Sequence, residues 1–328
     1  MNWKRASLCV AFGFALAACV VPAESRAQAK YPDHPVKVVV GFTAGGGTDV
    51  AARVIAQKLS EATGQTFVVE NRAGASGLLA SEQVAKAPAD GYTIMVGSQT
   101  TLAVAPALYK KFQLDVTKEF TGMAMIGVSP LVAVVNADSP IKSLKDLITF
   151  ARDKNGTMNF ASGGVGTGNH FSGELFRMLA GIDVVHIPYK GSGVGMNDVL
   201  AGQVQMMFIN LLPAMPFVAN GRLRGLGVTS AKRSIAAPDI PTIAESGFAG
   251  YQSTSWHGIV APAKTPAPIL RQLHAELAKI TQQPDVKKRM AGQGTDVIGS
   301  TPEEFRKVIQ TESVKWANVI KTAGIKPE

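Results

Sequence analysis

The sequence has very little cysteine. Its two cysteines, Cys9 and Cys19, lie within the first 20 of 328 residues. Without that segment the chain has no disulfide framework, no thiolate metal site and no cysteine nucleophile. The histidines also lack metal-ligand spacing, both among themselves and with Asp or Glu. We therefore predict that the protein needs neither a metal nor another cofactor.

Short catalytic and nucleotide-binding motifs are missing too. No G-x-S-x-G occurs, so the turn that presents a nucleophilic serine in many hydrolases is absent. Gly47-Thr48 follows "GFTAGG" where a phosphate loop has Lys and Ser or Thr, and Asn169 stands where a dinucleotide fingerprint has its third glycine. We predict that the protein is not an enzyme. A secreted enzyme stays open as an alternative, because a triad assembled in space leaves no sequence spacing.

Charge is sparse and scattered. Charged residues make up 17% of the chain and apolar residues 46%, with a formal net charge of +9. This composition is typical of a folded protein with a substantial core. No basic run is interleaved with aromatic residues, so we predict no nucleic-acid binding. The positive balance instead favours a solvated surface that weakly steers small anions.

Residues 1–29 have the three-part layout of a secretory signal. "MNWKR" is basic, "ASLCVAFGFALAACVVPA" is apolar, and "AESRAQA" ends in small residues. We favour cleavage after Ala29 at Ala27-Gln28-Ala29. The alternative is a lipoprotein signal that ends at Cys19, which would then carry a lipid anchor. An uncleaved anchor helix is disfavoured because the apolar run is short for a membrane span. We predict an exported, periplasmic protein.

Strand-like and helical patterns alternate after residue 30, which predicts parallel sheets flanked by helices. The exception is 123–135, where two strand-like runs are separated by only three residues. A parallel neighbour needs a longer crossover, so the chain is expected to enter a second sheet there. We predict an α/β protein with two lobes, two hinge crossings and a cleft: 30–129 plus 237–328 form lobe one, and 130–236 form lobe two.

Two glycine-rich turns carry the functional signal. "VKVVVGFTAGGGTDVAARVIAQKL" (36–59) and "MNFASGGVGTGNHFSGELFRML" (158–179) each run from a strand through glycines into a helix. Glycines permit close approach to the backbone, and a helix start offers free N–H groups and partial positive charge, which together suit an anion. The loops between strand and helix, 42–49 and 162–170, contain no Lys or Arg, which favours a carboxylate over a phosphate. Either loop alone is also compatible with an ordinary tight turn.

Four hydroxyl side chains near the turns, Ser98, Thr100, Ser162 and Thr167, are candidates for further carboxylate contacts. Asp49 at the first helix start more often caps backbone N–H groups than contacts a ligand amine or water. His170 at the second helix start is equally consistent with ligand contact and with a local polar contact.

Taken with "GQTFVVENRAGASG", "HIPYKGSGVGMNDVLAGQVQMMF" and "STSWHGIVAPAKTP", these stretches resemble the tripartite tricarboxylate transporter receptors, the TctC or Bug-type solute receptors, over nearly all of 31–328. The resemblance implies the two-lobed periplasmic binding protein fold, with two mixed sheets. It also implies that backbone amides and ordered waters from both lobes hold a ligand carboxylate. Carried over residue by residue, the implied ligand-binding positions are Phe42, Thr43, Ala44, Gly45, Gly46, Gly47, Thr48, Asp49, Ser98, Thr100, Ser162, Gly163, Gly164, Gly166, Thr167, His170, Asn210, Ser255 and Trp256.

The resemblance also implies the partners. A small organic carboxylate is the expected ligand, and a two-component membrane permease of the tripartite tricarboxylate type is the expected recipient. A membrane sensor kinase that reads the closed receptor is the alternative partner. We expect a monomer. Trp256 fits either stacking on an aromatic ligand or covering the hinge.

Overall fold

The computed structural model describes residues 31–109, 113–153 and 158–326. The predicted signal at 1–29 lies outside these ranges. Strands are β1 (Val36–Val40), β2 (Phe67–Asn71), β3 (Thr93–Ser98), β4 (Phe120–Ser129), β5 (Leu131–Asn136), β6 (Asn159–Ser162), β7 (Val185–Pro188), β8 (Met206–Asn210), β9 (Leu223–Val228), β10 (Ser255–Pro262) and β11 (Asp296–Val297).

Helices separate most of these strands, and none within the described ranges combines the length and apolar character of a membrane span. They are α1 (Gly47–Thr63), α2 (Leu78–Ala85), α3 (Ala105–Leu108), α4 (Val116–Glu119), α5 (Leu144–Asp153), α6 (Gly168–Ala180), α7 (Ser192–Leu200), α8 (Leu211–Ala219), α9 (Ala267–Ile280), α10 (Pro284–Ala291) and α11 (Pro302–Ala323). A π-helical turn occupies Thr100–Val104.

The first sheet has the order β11-β4-β10-β3-β1-β2. β1 lies between β2 and β3 and is parallel to both, whereas β10 runs antiparallel to β3 and β4. Because β1, β2 and β3 are parallel, their carboxyl ends meet at one edge of the sheet. The loops that follow these three strands are therefore neighbours.

The second sheet has the order β7-β6-β8-β5-β9. β6 is parallel to β7 and β8, and β5 runs antiparallel to β8 and β9. The loops after β6, β7 and β8 thus share one edge of this sheet, as the corresponding loops do in the first. The prediction of two mixed sheets flanked by helices is confirmed.

Local sequence explains where the principal helices begin and end. Gly64, with φ +75°, follows the last residue of α1 and ends the helix. The Ile55 and Leu59 side chains of α1 are buried, and each such burial stabilises the fold by about 1.5–3 kcal/mol. Thr167 caps α6 by accepting from His170 N–H. Leu179, which the periodicity places on the buried face of α6, is instead 48% exposed.

The chain passes between the sheets twice. β4 ends at Ser129 in the first sheet and β5 begins at Leu131 in the second, where the sequence predicted a crossing. After β9 the chain stays on the second sheet, since Val228 pairs with Thr242 and Ser253 N–H donates to Thr229 O. We propose that lobe two extends to 254, beyond the predicted 236, and that the return lies just before β10.

α11 connects the two halves of the molecule. The Thr-x-x-Glu spacing of 301–304 predicts a capping box at its N-terminus, and Thr301 and Glu304 bond each other's backbone N–H there. Phe305 packs on the first sheet, where a Cβ at Gly258 would stand 2.1 Å from the Phe305 ring. Trp316 meets Phe171 of α6 edge-to-face at 5.4 Å. The sequence assigned α11 to lobe one alone, but its second half also contacts lobe two.

Candidate functional site

Three first-lobe loops converge at the carboxyl edge of the first sheet. A Cβ built at Gly41, just after β1, would stand 2.6 Å from the Gly77 Cα. A Cβ at Gly77 would in turn stand 2.5 Å from the Thr101 Oγ1. Only glycine permits such approaches. The loops after β1, β2 and β3 therefore form one continuous surface.

Asp49 organises the first glycine loop from the first turn of α1. Its side chain is 2% exposed and accepts from Gly45 N–H (2.9 Å), Arg53 Nε (2.9 Å) and Asn71 Nδ2 (2.8 Å). Burial raises the pKa of Asp49, but the bonds from Arg53, Gly45 and Asn71 together hold that pKa below its ordinary value. The carboxylate thus accepts from one backbone N–H, that of Gly45 before α1, and from two neighbouring side chains. It does not cap the first turn of α1 itself.

The outer part of this loop, 43–47, is exposed, while Phe42 is half-buried and Thr48 is buried. No side chain caps the start of α1. The N–H groups of Ala44, Gly46, Gly47 and Thr48 are among those of the loop and first helical turn that make no hydrogen bond within the described ranges. These donors are the first-lobe groups best suited to an anion.

Ser98 and Thr100 follow β3. Ser98 is 3% exposed, and its Oγ lies 3.3 Å from the Thr101 Oγ1 and accepts from the Thr101 N–H at 3.3 Å. Thr100 begins the π-helical turn and is half-buried. The Ser98 hydroxyl therefore holds the turn after β3 together.

Sequence reasoning missed a strained turn after β2 as part of the site. Gly74, Ala75, Ser76 and Gly77 have φ values of 140°, 47°, 54° and 91° in succession. Positive φ costs about 1–2 kcal/mol for a residue with a Cβ, so Ala75 and Ser76 are held there by their surroundings. Such strain clusters at functional sites. The glycines were visible in the sequence, but the conformation of Ala75 and Ser76 was not.

The second glycine loop, after β6, is closed by bonds of its own side chains. Ser162 is fully buried, and its Oγ accepts from Gly164 N–H at 3.0 Å. The Thr167 hydroxyl donates to Gly164 O at 2.7 Å. A Cβ at Gly163 would stand 2.6 Å from the Ser192 Oγ, so this loop abuts the start of α7. Ser162 and Thr167 thus shape the loop.

His170 lies beneath this loop. It is 3% exposed, its Nδ1 accepts from Gly166 N–H at 3.3 Å, and its ring stacks on that of His186 at 3.8 Å with an 11° interplanar angle. Burial lowers the pKa of His170 to about 3, with smaller contributions from His186 and Arg177. Burial likewise lowers the pKa of His186 to about 4. Both imidazoles are neutral at neutral pH.

The second glycine loop contacts the first lobe at α3 and at the turn after β2. A Cβ at Gly166 would lie 3.4 Å from the Leu108 Cδ2 and 3.9 Å from the Ser76 Oγ. Four N–H groups in this loop and at the start of α6 make no hydrogen bond in the described part of the chain: those of Gly163, Val165, Gly168 and Asn169. Gly168 and Asn169 open α6, where the helix dipole is positive.

Asn210 and Ser255 lie at the ends of their strands. Asn210 is exposed and starts α8 without a side-chain cap bond. α8 reaches the first lobe, since a Cβ at Gly294 would lie 3.1 Å from the Leu212 Cβ. Ser255 is half-buried at the start of β10, opposite Ser129. Both flank the crossings between the lobes.

Trp256 lies on the other face of the first sheet from the first glycine loop. It is 2% exposed, meets Phe305 edge-to-face at 5.5 Å, and lines a cavity of about 400 Å³ between α11 and the strands β4 and β10. Its neighbour His257 points to the opposite face, where its Nδ1 lies 3.4 Å from the Thr48 Oγ1. Trp256 is therefore buried beneath α11, at the start of β10.

The described residues contain no group of three or more His, Cys, Asp or Glu side chains placed to hold a metal ion. The unbonded donors of the two glycine loops are backbone N–H groups, and neither loop, 42–49 or 162–170, contains Lys or Arg, whereas the neighbouring loops after β2 and β7 carry Arg72 and Lys190. Such an arrangement can bind an oxyanion of low charge through hydrogen bonds.

Residues 51–325 match the family model described as the tripartite tricarboxylate transporter family receptor, TctC. The match spans most of the chain. The chain belongs to this family. TctC proteins are solute receptors rather than enzymes, and the family predicted from the sequence is confirmed.

Relatives match along nearly the whole chain. Protein BugT of Bordetella pertussis is 34% identical over 327 residues, which is 99% of each chain. Among solved structures, R. palustris Rpa4515 with adipate is 36% identical, with a TM-score of 0.76, and the match covers 91% of this chain and 100% of that one. MatC (Rpa3494) from Rhodopseudomonas palustris with bound malate is 31% identical, with a TM-score of 0.73, covering 88% and 100%.

Proposed function

We propose that this TctC receptor binds a small organic carboxylate in the cleft between its lobes. Backbone N–H groups of the two glycine loops hold the carboxylate. The observation that carries this proposal is the approach of the second glycine loop to the first lobe, where Gly166 lies against Leu108 and against Ser76 of the turn after β2. A ligand that contacts both loops favours the closed arrangement of the lobes, because only that arrangement offers both sets of donors.

The helix starts around the cleft support an anionic ligand. α1, α2, α7 and α8 all begin without a side-chain cap bond. Each leaves N–H groups of its first turn without an intrahelical partner and adds partial positive charge. A single carboxylate group matches this field without a lysine or arginine partner. A phosphate dianion would need more positive charge around it than the two glycine loops provide.

The ligands of the similar structures agree in class. Adipate and malate, named with Rpa4515 and MatC, are both dicarboxylates. We propose a dicarboxylate as the first class to test here, with one carboxylate on the amide donors and the other toward the distal part of the cleft.

We further propose that the protein works outside the cytoplasm, after removal of residues 1–29, and delivers its ligand to a two-component permease of the tripartite tricarboxylate type. The family model supports a transporter partner. Uptake of a radiolabelled dicarboxylate by cells with and without the gene for this receptor tests delivery. Uptake that is unchanged without the receptor would count against it.

Binding is tested by a thermal-shift screen of the processed protein, unfolded and refolded to remove carried-over ligand. The panel holds malate, adipate, citrate, benzoate, phosphate and sulfate. A ligand at about 100 times its Kd adds about 2.7 kcal/mol to the free energy of unfolding. Stabilisation by a carboxylate class supports the proposal. Stabilisation by phosphate or sulfate alone, or by no compound, contradicts it.

A further inference from the structure

The second glycine loop is held from beneath by a stack of rings. Phe160 on β6 pairs with His186 on β7, and their rings lie 4.9 Å apart. His170 from α6 stacks on His186, with ring centroids 3.8 Å apart, and its ring centroid lies 6.4 Å from that of Phe160. The three rings thus join the neighbouring strands β6 and β7 to the helix that follows the loop.

His170 makes the direct connection to the loop. Its Nδ1 accepts from Gly166 N–H at 3.3 Å, so this nitrogen carries no proton. The ring proton then sits on Nε2, which faces the Glu174 Oε1 at 3.8 Å. Glu174 is itself fixed by Arg177 Nε at 2.9 Å. The tautomer of His170 is therefore set by its surroundings, and its acceptor points at the loop.

His186 connects to the loop through Ser162. Its Nε2 lies 2.6 Å from the Ser162 Oγ, and that Oγ accepts from Gly164 N–H at 3.0 Å. Each of the two stacked imidazoles is thus tied to one backbone N–H of the loop, Gly164 through Ser162 and Gly166 directly. Val165 N–H, between them, has no hydrogen bond within the described ranges.

We propose that His170 and His186 are positioning residues of the carboxylate site. They fix the N–H groups of Gly164 and Gly166 inside the loop and so leave the Val165 N–H available to the ligand. The sequence offered His170 as a ligand contact, and its burial beneath the loop favours this indirect role. The inference rests on the proposed function, since it concerns the loop that binds the carboxylate.

Two substitutions at one position separate hydrogen bonding from packing. His170→Asn keeps an acceptor oxygen near the place of Nδ1 but removes the ring from the stack. His170→Phe keeps a stacking ring but removes the acceptor. Loss of one hydrogen bond predicts roughly three- to tenfold weaker binding of malate or adipate to His170→Phe, with His170→Asn close to wild type. His34→Phe, at an exposed histidine before β1, is the control.

Amide hydrogen exchange of the unliganded protein gives a second readout. The Gly166 N–H should exchange faster in His170→Phe, by roughly the same three- to tenfold, and should stay protected in His170→Asn. His186→Leu should likewise speed exchange at Gly164, and His186→Gln should restore part of the protection.

The possible outcomes distinguish this inference from the proposed function. If wild type binds neither malate nor adipate nor any other carboxylate, the proposed function fails. If wild type binds one of them and His170→Phe binds it equally well, with Gly166 still protected, the positioning role is wrong. Weak binding by His170→Asn alongside normal binding by His170→Phe would mean that ring packing, not the hydrogen bond, matters.

Discussion

Replacing Asp49 by alanine should loosen the first glycine loop and reveal how that loop is held. The carboxylate accepts three hydrogen bonds while 2% exposed. Arg53 is 52% exposed, so this ion pair is screened and contributes less than about 1 kcal/mol. The bonds from Gly45 and Asn71 to a buried charge contribute about 1.5–3 kcal/mol each before the cost of burying that charge.

The expected net loss for Asp49→Ala is about 2–4 kcal/mol in the free energy of unfolding, or about 3–6 °C in Tm for a chain of this size. Thermal unfolding followed by circular dichroism measures it. Carboxylate affinity should fall as well, because Gly45 and its neighbours no longer have a fixed conformation. The stabilising effect of Asp49 is fully present above its unfolded pKa and is lost as pH falls through its lower folded pKa, so the difference from wild type should narrow below about pH 4.

Glu61→Ala is the matched control. Glu61 lies on the same helix, is 51% exposed and pairs only with neighbouring helix residues. Its removal should change stability by less than about 0.5 kcal/mol. If Asp49→Ala unfolds at the same temperature as Glu61→Ala and keeps full affinity, then Asp49 does not organise the loop.

Three further predictions follow from burial and backbone geometry. Burial lowers the pKa of His257 to about 4. As pH falls from about 6.5, the unfolded chain binds a proton at this histidine before the folded chain does, which lowers the free energy of unfolding by about 3 kcal/mol at pH 4. Urea unfolding of His257→Gln should therefore show a flatter pH dependence of stability than wild type, and an equally steep one would contradict this. Gly166→Ala, at φ +83°, should lose about 1–2 kcal/mol and bind carboxylate more weakly by titration calorimetry; an unchanged Kd would argue against loop contact. Thr301→Ala removes the capping box of α11 and should cost about 1 kcal/mol in thermal unfolding while leaving carboxylate affinity unchanged; lost affinity would couple that helix start to the cleft.

The sequence predicted those features that depend on local patterns. Strand–glycine–helix stretches located both glycine loops, and the short gap at 128–130 located the passage between sheets, because a parallel crossover does not fit there. The Thr301 capping box appears as predicted. Each of these follows from spacing within a few residues.

Other features depend on tertiary contacts and could not be predicted. Ala75 and Ser76 have positive φ values next to Gly77, whose backbone lies in close contact with Gly41 and Thr101. The face on which Trp256 lies depends on the place of β10 within the first sheet and on α11 above it. His170 accepts a hydrogen bond from Gly166 N–H, but the sequence spacing of these two residues was compatible with several roles for His170. Sequence spacing identified the loops but not which of their donors remain available.

We propose that backbone N–H groups from both lobes bind the carboxylate without a cationic side chain. The decisive measurement is a crystal structure of the processed protein with the best-binding dicarboxylate. We expect carboxylate oxygens at hydrogen-bond distance, about 2.7–3.2 Å, from N–H groups or bridging waters of both glycine loops, including those at 46–48 and at Val165. A carboxylate held by Lys or Arg, contacted by one lobe only, or bound in the cavity beside Trp256 would contradict it.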